Sequence, residues 1–103
     1  MLKQPPHFII QEERLFFEGD FTFQTVLHAW RELKKILRKD ADKIIFVNFE
    51  HVSHIDSACF ALLLAYLRER RQHHKLLKFE HIPDKMLALA KVNGIEKILF
   101  SEK

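Results

Sequence analysis

Three sets of side chains in this 103-residue chain could do chemistry, and each needs particular neighbours to do it. His51, His54 and Asp56 share one stretch, and His73 and His74 are adjacent, donor types that a divalent metal accepts. His51-Val52-Ser53-His54 lacks both the i, i+4 spacing of a helical zinc pair and the glutamate that accompanies it. These read as solvated loop and helix-end histidines. Ser57 or Cys59 with His54 as base would make a nucleophile near a helix N-terminus. A hydrolase elbow needs small residues around its serine, whereas here Asp56 precedes Ser57, Cys59-Phe60 follow, and no third orienting group is evident. The expected roles are a capping serine, or aspartate, and a buried small thiol. Gly19 and Gly94 are the two glycines, and they build no phosphate-cradling loop. No catalytic residue, metal ligand or cofactor is therefore expected.

The elements that position these residues follow from the apolar pattern. Residues 8–10 and 14–18 are β-prone runs separated by Gln11-Glu12-Glu13, an antiparallel hairpin that Gly19 should end. From Thr22 onward, Val26, Leu27, Trp30, Leu33, Ile36 and Leu37 recur at helical spacing, while Arg31, Glu32, Lys34, Lys35 and Arg38 face away. Residues 43–49 are nearly continuous in β-branched and aromatic side chains, as in a central strand covered on both faces. A loop at 50–56 should lead to a second helix from Ser57 to about His74. A strand at 76–80 should then lie parallel to the central one. A third helix is expected over 83–92, opened by Pro83 and stopped by Asn93-Gly94, before a short last element at 95–100. The order β-β-α-β-α-β-α with a short C-terminal element predicts one α/β (α+β) domain, a mixed sheet with helices packed against it, over residues 1–103, with 1–7 flexible.

Composition narrows the function classes. Seventeen basic against 14 acidic side chains give a net charge of +3, too mild to suggest a nucleic-acid partner. The basic group Arg68, Arg70, Arg71, His73, His74 and Lys75 falls where a helix ends, a place that favours cations. One cysteine excludes an internal disulfide and a multi-cysteine zinc site. The longest uncharged apolar run, 58–67, is shorter than the ~20 residues that span a bilayer, and no signal-like h-region opens the chain. A soluble cytoplasmic protein without direct membrane insertion is the expectation.

The helix beginning at Ser57 is apolar nearly all round. Phe60, Leu63, Leu64 and Leu67 can cover the sheet, which leaves Ala58, Ala61, Leu62 and Ala65, with Tyr66 beside them. Unless neighbouring helices cover it, that second stripe next to Ser57 is a docking face for another protein.

Val52-Ser53-His54-Ile55-Asp56-Ser57-Ala58-Cys59-Phe60-Ala61-Leu62-Leu63-Leu64, after the 44–49 strand, resembles the signature of the STAS domain family of anti-sigma-factor antagonists. The resemblance runs from about Leu15 to Leu99. Within the family, the run 15–21, Val26-Leu27 with Trp30, Ala61 to Leu64, and Asp84-Lys85 ahead of Leu89-Ala90-Lys91 are similar to the small STAS subunits of phospholipid-transport ABC complexes. The resemblance implies a non-catalytic protein that binds and supports the transporter's ATPase subunit and, through it, the inner-membrane permease that maintains outer-membrane lipid asymmetry. Regulatory members imply a different partner, an anti-sigma factor kinase that phosphorylates the serine matching Ser57. This chain departs from their pattern at Ala58, Cys59 and Phe60. Ser57 carries over as the expected partner contact, together with Asp56, His54 and Leu62.

Overall fold

The computed structural model describes residues 4–70 and 77–94. Its element order is β1 (His7–Gln11), β2 (Arg14–Phe21), α1 (Val26–Asp40), a 3-10 turn (Ala41–Lys43), β3 (Phe46–Ile55), α2 (Ser57–Arg70), β4 (Lys78–Glu80) and α3 (Asp84–Val92). The sheet order is β1-β2-β3-β4, with β1 antiparallel to β2, and β2-β3 and β3-β4 parallel. This is the expected mixed α/β architecture, with the strand starting at Phe46 rather than in the 43–45 stretch, in the interior of the sheet and parallel to β4. The expected element at 95–100, the end of the second helix beyond Arg70, and Leu76 lie outside the described residues.

The hairpin forms because two β-prone runs flank a turn in which Glu12 takes a positive φ of 56°. Glu13 then accepts hydrogen bonds from the backbone amides of Ile45 (2.9 Å) and Phe46 (3.1 Å), which pins the turn to the start of β3. Gly19 does not end the strand: β2 runs on to Phe21, with register shifts against β3 on either side of Gly19. At φ +96° a β-carbon on Gly19 would collide with the backbone oxygens of Gln4 and Pro5. The stretch 4–7, expected to hang free, is tied down there, with the Asp20 amide donating to the Gln4 carbonyl at 2.8 Å.

Leu15, Phe17, Val47 and Phe49 point from β2 and β3 into one core with Leu33 and Leu37 of α1, Leu62 and Leu63 of α2, and Met86 and Ala90 of α3. Phe17 packs edge-on to Phe8 and Phe49, at centroid distances of 4.9 and 5.2 Å. The opposite side of β3 departs from the expectation of a second apolar cover. Phe46 is half-buried beneath the Arg14 guanidinium at 4.4 Å. Arg14 makes two hydrogen bonds to the Glu80 carboxylate (3.0 and 3.1 Å), and the Asn48 side chain donates to the same carboxylate at 3.2 Å. A polar ladder thus crosses β2, β3 and β4 and holds the Glu80 carboxyl below the usual carboxylate range, Arg14 being the main cause.

Two helix boundaries also moved. The first helix begins at Val26 rather than Thr22, because 22–25 form a separate turn. Pro83 caps α3 from the position before its first residue, and the Asn93 amide and side chain both donate to the Leu89 carbonyl as the helix stops.

Candidate docking surface at the start of the second helix

β3 continues to Ile55, so Glu50 through Ile55, expected as loop, are strand residues paired with β2. Phe21 and Ile55 end the two parallel strands in register, and the helices that follow both begin at that edge. The first amides of each helix lack intrahelical acceptors and need partners from outside.

Asp56 supplies one for α2 and also bonds the turn that leads into α1. One carboxylate oxygen accepts from the Ala58 amide (2.8 Å), capping α2, and the other accepts from the Phe23 amide (3.1 Å) ahead of α1. The 22–25 turn is closed by Thr25, whose hydroxyl accepts from the Thr22 amide (2.9 Å) and donates to the Asp20 carbonyl (2.8 Å). That turn projects Phe23, 74% exposed, and the first turn of α1 projects Leu27, 61% exposed. Neither was anticipated as a surface group. The helical spacing groups Leu27 with the buried face of the helix, whereas Ala29, Leu33 and Leu37 form it. A helical repeat fixes which residues share a face, and does not tell how far the helix overhangs the sheet.

Ser57 is the first residue of α2 and is exposed, and its hydroxyl makes no hydrogen bond among the described residues. Of the two residues able to cap, Asp56 does so. His54 is the penultimate residue of β3, with its ring nitrogen Nδ1 2.9 Å from Oδ1 of the largely buried Asp20. Asp20 is the orienting carboxylate that the sequence did not reveal, yet no hydrogen bond joins His54 to Ser57, so the three make no connected nucleophile relay. His51 lies beside Phe16 instead, and among the described residues no group of three or more His, Cys, Asp or Glu could hold a metal ion. Cys59 is fully buried, and burial, reinforced by the Asp56 charge, pushes its thiol up to about 12. It stays protonated and unreactive at neutral pH.

Leu62 corrects the expected contact set: it is 2% exposed and belongs to the core. The stripe assignment on α2 is corrected with it. Ala58, Cys59, Leu62, Leu63 and Tyr66 are buried, whereas Ser57, Ala61, Leu64 and Arg68 are exposed at i, i+4, i+7 and i+11. Arg70, counted with the basic helix end, is also buried, its guanidinium 3.4 Å from the Tyr66 hydroxyl. What faces outward at this edge is therefore Phe23 and Leu27 from α1's approach, and Ser57, Ala61 and Leu64 from α2, bound together by Asp56.

Comparison with known proteins matches residues 11–100 to the family described as "Mlab, STAS domain". The chain is 34% identical over 83 residues to the intermembrane phospholipid transport system binding protein MlaB of Haemophilus influenzae, covering 79% of each chain. It is 30% identical over 87 residues to the anti-sigma-B factor antagonist of Staphylococcus aureus, covering 82% of this chain and 81% of that one. Among solved structures, the unphosphorylated anti-sigma factor antagonist SpoIIAA superposes with a TM-score of 0.59 at 13% identity, covering 88% of this chain and 82% of the other. The phosphorylated SpoIIAA of Bacillus gives 0.57 at 14%, covering 92% and 87%.

Proposed function

Because the chain belongs to the STAS domain family, we propose that it is a non-catalytic binding subunit that docks on the ATPase subunit of a phospholipid-transport ABC complex. The observation that carries this reading is the exposure of the large apolar side chains Phe23 and Leu27 at the edge where both helices start, near the free Ser57 hydroxyl, with Ala61 and Leu64 following Ser57 along the outer face of α2. Large exposed apolar side chains gathered at one edge are the mark of a protein-binding surface. His54 and Asp56 border it, and Leu62 supports it from beneath. The similarity to a protein named as a binding component of an intermembrane phospholipid transport system supports the choice of partner. In this reading the chain is cytoplasmic, reaches the inner membrane and its permease through the ATPase, and serves outer-membrane lipid asymmetry. No described helix is long and apolar enough to cross a membrane.

The free Ser57 hydroxyl favours a second reading, an anti-sigma factor antagonist gated by phosphorylation at Ser57. A phosphate there would add about −1.5 to −2 charges at the N-terminus of α2, which tolerates anions in the free chain but not under a packed interface.

Co-purification separates the two. With the chain as bait, the first reading expects the ABC ATPase subunit encoded in the same genome, with Ser57→Glu abolishing capture and Ser57→Thr preserving it. Capture of an anti-sigma factor kinase instead, with incorporation of phosphate at Ser57, would replace the first reading by the second.

A further inference from the structure

Charge is unevenly distributed along the sequence. α1 carries Arg31, Lys34, Lys35, Arg38 and Lys39 against Glu32 and Asp40, five cations to two acids, which equals the whole net charge of +3. The remaining residues balance.

The acids of this helix are already engaged, Glu32 with Lys35 at 3.5 Å and Asp40 with Lys43 at 3.4 Å. Lys34 lies over the Trp30 ring at 5.7 Å. Arg31, Arg38 and Lys39 are exposed and have no ion-pair partner among the described residues. Arg31 and Arg38 are two turns apart on one face. Arg31 also follows Leu27 by one turn, and Leu27 follows Phe23 by four residues, so the apolar edge passes directly into the basic one.

We infer that the outer face of α1 is the electrostatic arm of the docking surface and meets an acidic patch on the protein that covers Phe23 and Leu27. The inference rests on the docking reading above. A protein is favoured over a lipid surface because the apolar side of α1 is spent in the core. On the exposed side Leu27 stands alone as an apolar group, too little for a helix to settle into a bilayer. Guanidinium groups without internal partners suit carboxylates, which they bind in paired hydrogen bonds. Charges at the border of an apolar patch act chiefly on the rate of encounter, and salt screens that action.

The test measures association of the chain with the purified ATPase subunit of the phospholipid-transport complex from the same genome, between ~0.05 and ~0.5 M salt. Arg31→Glu/Arg38→Glu is compared with Lys85→Glu/Lys91→Glu on α3, which changes the net charge equally at exposed positions. The α1 pair should slow association about tenfold at low salt and flatten its salt dependence, while the α3 pair stays within about twofold of wild type. Equal rates for the two pairs, with the wild type binding, would overturn the inference and leave the docking reading intact. Failure of the wild type to associate at any salt would overturn both. The inference also falls if the wild type binds vesicles of phosphatidylglycerol and phosphatidylethanolamine through Arg31 and Arg38 while both pairs meet the ATPase at the same rate. That result assigns the face to lipid.

Discussion

Asp56→Ala removes the acceptor of two backbone amides at once, those of Ala58 and Phe23. Losing an N-cap costs about 1 kcal/mol, up to about 2 where, as here, the side chain is partly enclosed. Ser57→Ala should leave the urea midpoint near wild type, because Ser57 is not the cap. The same pair inverts in docking: Ser57→Glu should abolish partner capture with the fold intact, whereas Asp56→Ala should weaken both together. Cys59 is read by alkylation. With its thiol pushed up to about 12 by burial, reaction with iodoacetamide near pH 8 should track the unfolded fraction rather than the thiolate content of the native protein. The linkage has a definite sign. Above about pH 8.5 the unfolded chain loses this proton and the folded chain keeps it, so the contribution of Cys59 to stability falls with rising pH until the folded thiol itself ionises near 12.

β3 is where sequence and structure agree in part and part ways. Its first half, 46–49, was legible because it belongs to a run of largely β-branched and aromatic residues that begins two positions before the strand. Its second half was not, because Glu50, His51, Ser53 and His54 are exposed and polar and look like a loop. Pairing with β2, from Glu18↔His51 to Phe21↔Ile55, makes that half a strand, and no local signal encodes a partner 34 residues away. The hairpin and α3 were legible for the opposite reason, since their turn and stop signals are local. On α2 the apolar residues surround the helix, so periodicity carried little phase: Phe60 and Leu63 are buried as expected, but Leu64 is exposed and Ala58, Leu62 and Tyr66 are buried too. The two sides of β3 yield a contrast to measure. Phe49→Ala, buried to 1% exposure, should cost about 3–5 kcal/mol in denaturant melts, and Phe46→Ala, half-covered by Arg14, clearly less. The ladder across β2, β3 and β4 predicts an acid response. The Glu80 carboxylate, held low by Arg14, lends stability above its ordinary pKa near 4.3 and loses it as pH falls through the depressed value. Glu80→Gln should therefore flatten the acid limb of the stability profile.

As a whole molecule, the chain superposes on SpoIIAA at 13% identity, so the architecture rests on element order and a buried pattern rather than on particular side chains. Most of that pattern was readable from sequence. The site was less so, because its members come from two segments that meet only after β2 and β3 have paired: Phe23 and Leu27 in one, Ser57, Ala61 and Leu64 in the other. Asp56, bonded to both, is the joint between them. In the proposed docking, the recognised shape is consequently a conformational epitope. A synthetic peptide copying residues 56–68 should not compete with the folded chain for its partner, even at large excess, since it lacks Phe23 and Leu27 and an isolated helix of that length is marginal in water. Competition by such a peptide would mean that the recognition element is linear. Without it, an inhibitor of this contact would have to reproduce two strands of chain at a fixed separation, a task for a folded miniature domain rather than for a helix mimic.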